Sequence, residues 1–270
     1  GGYVTGTVLK TAIKSGIKTA LHESNSLPGV SVKMLAPKAD LVMLGTEDAK
    51  KHLGECKKCV VTGNPLRNNI PIEEKSAARK RLGLPDCLTI LSAGGSQGAS
   101  RLNEAVVQLL AYEQKKGNIN HIHGYGKHGR DTFMQSLEDN GVDAGNPHFI
   151  IKEYIDNMYT CMCASDLIIT RAGAMTLTEI TAIGRASVLI PYPYAAENHQ
   201  YYNALTLQNA NAGRIIDDKE LTGSVLIDTV NRLADDPELL RLMSENAAKL
   251  SKRDAAGIIL REITELMGIK

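Results

Sequence analysis

The stretch Ser165-Asp166-Leu167-Ile168-Ile169-Thr170-Arg171-Ala172-Gly173-Ala174-Met175-Thr176-Leu177-Thr178-Glu179 carries the residues best spaced for chemistry. Leu167–Ile169 is too short for a helix and β-branched enough for a buried parallel strand. Gly173 removes a Cβ where a ligand could approach the backbone. The helix that follows offers unpaired N–H groups and the positive end of its dipole, which suits a phosphate or diphosphate. Glu179, a turn further in, would repel that phosphate. Its better partner is neutral, and a ribose diol offers two donors to two carboxylate oxygens. The pairing points to a nucleotide diphosphate; the plainer reading is a strand, a turn and a helix with a surface Glu. Arg171 adjoins this site and serves either the phosphate or an ordinary ion pair.

A second glycine-rich turn, Ala93-Gly94-Gly95-Ser96-Gln97-Gly98-Ala99, follows an apolar run and opens another helix. It has the context of a phosphate loop without being a Walker A or G-x-G-x-x-G sequence. Gln200, at a helix start after a strand, is placed to reach a sugar hydroxyl. Tyr192, Tyr194, Tyr201 and Tyr202 flank Glu197-Asn198-His199-Gln200 and serve packing or recognition. His22 and His123 each lie near a strand end and read as general bases or as satisfied structural histidines. No D-x-D pair suggests a metal holding the diphosphate, so helix N-termini are expected to carry the leaving-group charge. Cys56-Lys57-Lys58-Cys59 has the spacing of a metal or redox pair, but no second pair or nearby His completes a zinc ligand set.

The whole chain must position these groups. Its 270 residues suffice for one large or two ordinary α/β domains. Apolar content of 43 % and charged content of 23 % are those of a soluble globular protein. Net charge is +1, Trp is absent and Phe is scarce, which argues against nucleic acid as a partner. Five unpaired-looking Cys fit a reducing cytoplasm. Residues 1–60 hold nine Lys against five Asp and Glu, a basic bias that suits an anionic membrane surface or simply a solvated face.

In order, the pattern predicts a glycine turn at 1–6, a helix over 7–15, a strand over 18–22, a polar loop over 22–29 and a short helix over 30–36. A strand follows over 40–44, then a helix over 47–53 capped by Thr46, and a strand over 58–61. Gly63 and Pro65 break the chain near Asn64, and 67–86 reads as a linker with a short charged helix. From Leu88 onward strands and helices alternate to about residue 233, and two helices end the chain. Such alternation implies a parallel sheet covered on both faces.

Seven motifs in one order resemble the MurG family of bacterial N-acetylglucosaminyltransferases. They are Gly1-Gly2-Tyr3-Val4-Thr5-Gly6, His22-Glu23-Ser24-Asn25, Thr62-Gly63-Asn64-Pro65-Leu66-Arg67, Gly94-Gly95-Ser96-Gln97-Gly98-Ala99, Tyr154-Ile155-Asp156-Asn157-Met158, Arg171 through Glu179, and Gln200-Tyr201-Tyr202-Asn203-Ala204. The resemblance implies an α/β chain of the GT-B fold, with two Rossmann-like doubly wound parallel-sheet domains. It divides the chain into 1–64 (acceptor and membrane side), 65–87 (linker) and 88–270 (UDP-GlcNAc binding), the last helices packing back on the first domain. It implies transfer of GlcNAc from UDP-GlcNAc to the muramyl 4-hydroxyl of undecaprenyl-pyrophosphoryl-MurNAc-pentapeptide, with inversion, in peptidoglycan synthesis, hence in cell shape and division. By motif position, Ile155 would meet the uracil, and Ser96 and Arg67 the cleft and phosphate side. Ala174, Met175, Thr176, Leu177 and Thr178 would meet the diphosphate, Glu179 the ribose, and Gln200 and Asn25 the GlcNAc. Gly1, Gly2 and Gly6 would form a loop near the acceptor pyrophosphate. No cofactor, metal or catalytic base is assigned. The implied place is the cytoplasmic face of the bacterial membrane, peripherally bound.

The family's earlier glycine-rich loop, ending in His, matches nothing in these residues, so the first domain is expected to be incomplete, with a raw parallel edge. Two other readings follow: a donor-binding half that needs a separate segment, and a UDP-sugar epimerase of the same fold. A nicotinamide dehydrogenase is least compatible, since neither loop reads G-x-G-x-x-G and no acidic residue follows at the expected distance.

Overall fold

The computed structural model describes residues 2–67, 70 and 72–269, without the side chains of residues 2 and 3. The chain builds two separate parallel sheets. The first part runs α1 (Gly2–Lys14), β1 (Ala20–Glu23), α2 (Val30–Leu35), β2 (Leu41–Leu44), a 3-10 turn (Glu47–His52) and β3 (Cys59–Val61). Its strands pair in the order β1-β2-β3, with Leu21 beside Val42 and Val42 beside Cys59. Every residue of β2 is buried, as a central strand requires, and Leu21, Leu35, Val42 and Leu44 share one small core.

The second part runs α3 (Lys75–Leu82), β4 (Leu88–Ala93), α4 (Ser100–Lys116), β5 (Ile119–Gly124), α5 (Phe133–Asp139), β6 (Phe149–Lys152), α6 (Met158–Ala164), β7 (Leu167–Thr170), α7 (Ala174–Ile183), β8 (Ala186–Leu189), α8 (His199–Asn209), β9 (Gly213–Ile215), α9 (Gly223–Ala234), α10 (Pro237–Lys249) and α11 (Ala255–Met267). The six strands lie in the order β6-β5-β4-β7-β8-β9, all parallel. The order reverses between β4 and β7, where open α/β sheets leave a crevice outside their carboxyl ends. Strand alternation sorts the apolar side chains. Ile90, Leu167, Ile169 and Val188 join a core with α4, α5 and α9, while Leu91, Ile168 and Leu189 join one with α6, α7 and α8. Both faces are covered, which is why the strands read as unbroken apolar runs.

Local chemistry sets several boundaries. Asp236 accepts from Leu239 N–H ahead of Pro237, and Thr222 accepts from Val225 N–H, so α10 and α9 each start on a side-chain cap. Thr46 does not cap the turn after β2 as expected; its hydroxyl donates to Ser26 Oγ at 3.4 Å. The glycine turn expected at 1–6 is also corrected. Gly2 and Gly6 lie inside α1, and Gly1 lies outside the described residues. A helical Gly costs about 1 kcal/mol relative to Ala, but Leu9 and Ile13 pack on the first core and hold the helix. Within the expected linker, α3 lies against α6. There the half-buried Asp166 takes Arg79 Nη2 at 2.5 Å, and Arg79 Nε donates to Ala164 O. The last helix, α11, returns to the first sheet, touching β2 and receiving Lys58 Nζ on Glu262 at 2.7 Å and Glu265 at 3.0 Å.

Candidate functional site

Three helices, α4, α7 and α8, begin after β4 and β7, the strands at the switch point, and after the neighbouring β8. Between those beginnings lies a cavity of about 560 Å³, lined among others by Gly94, Gly98, Gly173, Thr176, Tyr192 and Gln200. Aligned N–H groups at three helix starts make such a space a natural receptor for a phosphate pair.

The glycine loop after β4 is held from outside. Lys127 N–H donates to Ser96 O at 3.2 Å and His128 N–H to Gln97 O at 2.8 Å. Gly98 and Gly126 meet face to face at φ +85° and +71°. A Cβ on Gly98 would lie 2.3 Å from Tyr125 O, and one on Gly126 would lie 2.2 Å from Gly98 N. Only glycine fits both positions. Ser96 sits exposed at the loop tip. His128 lines the cavity and was missed by sequence reasoning; its setting in Gly124-Tyr125-Gly126-Lys127-His128-Gly129, a third glycine-rich strand end, was the available signal.

On the β7 side, Leu177 N–H already donates to Gly173 O at 3.0 Å, so α7 is helical from its first residue. The expected diphosphate turn therefore narrows. The N–H groups of Ala174, Met175 and Thr176 precede the first helical bond, while those of Leu177 and Thr178 lie within the helix. Helical periodicity also splits the segment. Gly173 and Thr176 face this cavity, whereas Ala174, Leu177 and Thr178 face a second one, about 480 Å³, between the two sheets. The second cavity is further lined by Ser24, Ser26, Asn64, Asn203 and Thr206.

Gln200 is an anchor. Its Oε1 accepts from Ala172 N–H at 3.1 Å and Tyr192 N–H at 2.9 Å, tying the β7 and β8 loops together. The chain enters α8 through Glu197 and Asn198, both left-handed at φ 48° and 57°, strain that aims Gln200 inward. Arg171 lines the same cavity and is also anchored by an ion pair. Its Nη1 meets Asp218 Oδ1 at 2.5 Å and also donates to Ile190 O and Pro191 O, with the guanidinium over the Tyr192 ring.

Glu179 is half-buried, and its Oε1 accepts from Tyr159 Oη at 2.9 Å. Burial first, and this bond second, push the Tyr159 phenol up, so the phenol stays protonated and the acid stays oriented. The Tyr159 bond orients the acid and leaves carboxylate lone pairs for further donors. Glu179 is off the wall of both cavities, as are Asn25, Arg67 and Ile155. Asn25 is bound within its loop. Its N–H and Nδ2 donate to Glu23 Oε1 at 2.9 and 3.0 Å, and its Oδ1 accepts from Asn203 Nδ2 at 3.1 Å. Arg67 is exposed, and its charge acts on the Tyr159 phenol that holds Glu179. The Ile155 side chain is buried in the second sheet's core and would touch a Cβ on Gly124, so only its backbone is left for a base.

Both histidines are hydrogen-bonded, His22 half-buried and His123 in the core. His22 Nε2 contacts Gly63 O at 3.0 Å. His123 is fully buried, with Nδ1 on Ser92 Oγ at 2.7 Å, while the same hydroxyl meets His121 Nε2 at 2.6 Å and His121 Nδ1 meets Glu113 Oε2 at 2.7 Å. Among the described residues no group of three or more His, Cys, Asp or Glu is placed to hold a metal ion.

The family model of the glycosyltransferase family 28 C-terminal domain matches residues 89–258. Two curated relatives are each called a UDP-N-acetylglucosamine--N-acetylmuramyl-(pentapeptide) pyrophosphoryl-undecaprenol N-acetylglucosamine transferase. The one from Desulforamulus reducens is 37 % identical over 269 residues, covering 99 % of this chain and 72 % of its own length. The one from Thermoanaerobacter sp. strain X514 is 40 % identical over 267 residues, covering 98 % and 72 %. Among solved structures, Acinetobacter baumannii MurG superposes with a TM-score of 0.80 at 28 % identity, covering 98 % of this chain and 72 % of that one. A UDP-GlcNAc 2-epimerase from Neisseria meningitidis superposes with a TM-score of 0.66 at 15 % identity over 98 % of this chain and 74 % of that one, a likeness of fold alone.

Proposed function

Because the chain belongs to the MurG family of glycosyltransferases, we propose that it transfers GlcNAc from UDP-GlcNAc to the muramyl 4-hydroxyl of the undecaprenyl-pyrophosphoryl-MurNAc-pentapeptide acceptor, the step from lipid I to lipid II. The observation that carries this reading is the convergence of three helix starts on one cavity at the β4–β7 switch point. UDP's phosphates lie against the free amides of Ala174, Met175 and Thr176 and the Gly94–Ala99 loop. The second oxygen of Glu179 takes a ribose hydroxyl, with Tyr159 fixing the acid. The Ile155 backbone borders the uracil. The Gln200 amide nitrogen and Asn25 face the GlcNAc, and Ser96 and Arg67 close over the phosphates.

Chemistry is a direct displacement. The acceptor hydroxyl oxygen bonds to the anomeric carbon from one face as the bond to the UDP oxygen breaks on the other, inverting the centre. The charge that develops on the departing diphosphate is met by preorganised amides and helix dipoles, which lose no energy to reorganisation. The acceptor approaches from the first sheet, its pyrophosphate toward the start of α1, near Gly2 and Gly6.

The acceptor's lipid tail and the basic first part together favour peripheral binding to the cytoplasmic membrane face. Val4 and Val8 on α1 and Val30 and Met34 on α2 are exposed, among lysines such as Lys10 and Lys33, the combination that anionic bilayers attract. No described helix is long and apolar enough to cross a membrane.

The test is calorimetric titration of UDP-GlcNAc into the wild type and Glu179→Ala, with product formation followed on a lipid I analogue. The expected result is tight binding lost in the variant, with transfer lost in parallel. Equal binding by both proteins would refute the donor-site assignment. Conversion of UDP-GlcNAc to an epimer without acceptor would refute the transferase reading.

A further inference from the structure

The Cys56–Cys59 pair takes no part in the donor site, yet the fold arranges it for chemistry. Lys57 and Lys58 form a bend, and Cys59 opens β3 directly after it. Both half-buried cysteine side chains pack against the same small core, that of the first sheet. The Cys56 thiol also donates to Gly54 O at 3.4 Å. The two thiols sense each other, for Cys59 is pushed up first by burial and then by Cys56. With no third or fourth ligand among the described residues, the pair falls short of the tetrahedral set that structural zinc requires. Both side chains turn toward one core across the bend, the side-by-side placement from which a disulfide can close.

The bend is also a junction. Lys57 Nζ reaches Asp40 at 2.9 Å, and Lys58 Nζ reaches Glu262 and Glu265 on α11 at 2.7 and 3.0 Å. Those bonds fasten the last helix to the first sheet.

We propose that Cys56 and Cys59 are a redox-active dithiol that closes to an intramolecular disulfide by exchange with a low-molecular-weight disulfide, and that closure stiffens the lysine bend that anchors α11. The Cys56 thiolate attacks one sulfur of the small disulfide and expels the first small thiolate. The Cys59 thiolate then attacks the Cys56 sulfur of the mixed disulfide and expels the second. Two electrons pass from the protein dithiol to the small disulfide, and the two protein protons end on the two released thiols. Burial of Cys59 slows its own attack on an outside disulfide but not on a sulfur already beside it.

Incubation of the intact chain with glutathione disulfide, followed by alkylation and peptide mass spectrometry, tests the pair. Two of the five thiols should disappear into one Cys56–Cys59 bridge, reversibly with dithiothreitol. Cys59→Ser should stop at a single glutathione on Cys56, and Cys56→Ser should react at least about tenfold more slowly. Five surviving thiols, a bridge to Cys87, or glutathione retained on both residues of the wild type would overturn the proposal. The wild-type result stands without either variant, so poor folding of a serine form does not protect the idea. Amide exchange in α11 should slow severalfold in the oxidised wild type and stay unchanged in Cys56→Ser given the same treatment; equal exchange in both redox states would refute the anchoring role.

Discussion

At the scale of single residues, the Tyr159–Glu179 pair separates holding from binding. A hydrogen bond to a charged group contributes about 1.5–3 kcal/mol, so Glu179→Ala should weaken UDP by roughly 10- to 100-fold. Tyr159→Phe removes only the bond that orients the acid and should cost less, about threefold to tenfold, without abolishing binding. Calorimetry with UDP on both variants checks the order, and a larger loss for Tyr159→Phe would reverse the roles. A second residue-scale outcome concerns His123. Burial first, and the neighbouring His121 second, hold its pKa well below 6.5. An unfolded chain therefore binds this proton more readily than the folded one between the two values. Stability is fully present above about pH 6.5 and falls as pH drops below it, by at most about 1.4 kcal/mol per pH unit. Urea titrations at a series of pH values should show this slope in the wild type and a shallower one in His123→Leu.

At the scale of elements, the loops after β4 and β5 act as one. Because Gly98 and Gly126 meet at positive φ with no room for a Cβ, Gly98→Ala must open the contact between them. It should lower stability by roughly 1–3 kcal/mol and weaken UDP binding with it, as thermal melting and calorimetry on the same sample would show. Sequence reasoning reached the elements of the second sheet, since runs such as Leu167–Ile169 are apolar on both faces and glycines punctuate their ends. The glycine loops it singled out line the cavity at the switch point. It did not reach facts that depend on which atoms meet. The glycines near the N-terminus read as a turn but lie in α1, because tertiary packing of Leu9 and Ile13 outweighs propensity. Arg171 read as a phosphate neighbour or an ion-pair member; it lines the cavity and pairs with Asp218, a partner distant in sequence that spacing could not name. Thr178 read as part of a phosphate turn, yet its hydroxyl donates to Ala174 O and accepts from Asn64 Nδ2. Spacing carries no information about such partners, whereas periodicity carries a great deal about faces.

At the scale of the whole molecule, two sheets must present donor and acceptor to one another, and few side chains cross between them. Asn203 on α8 does so most completely. It is buried, its Oδ1 accepts from Ser26 N–H at 2.8 Å, and its Nδ2 donates to Asn25 Oδ1 at 3.1 Å and Ala172 O at 3.2 Å. One amide thus joins the polar loop after β1 to the β7 loop beside Gly173. Asn64 adds a bond from the end of β3 to α7, and Thr206 reaches Ser26 and Asp48. Asn203→Ala would leave Ser26 N–H buried and unpaired, which costs about 1–3 kcal/mol, and would free the Asn25 loop from the donor loop. The amides at the start of α7 would be untouched. UDP affinity should therefore change less than about threefold, while kcat for transfer should fall roughly 10- to 100-fold, the signature of lost alignment rather than lost binding. Calorimetry with UDP and steady-state transfer kinetics on the one variant separate the two. If affinity and kcat fell together, Asn203 would belong to the donor site itself, and the register between the sheets would rest on Asn64 and Thr206.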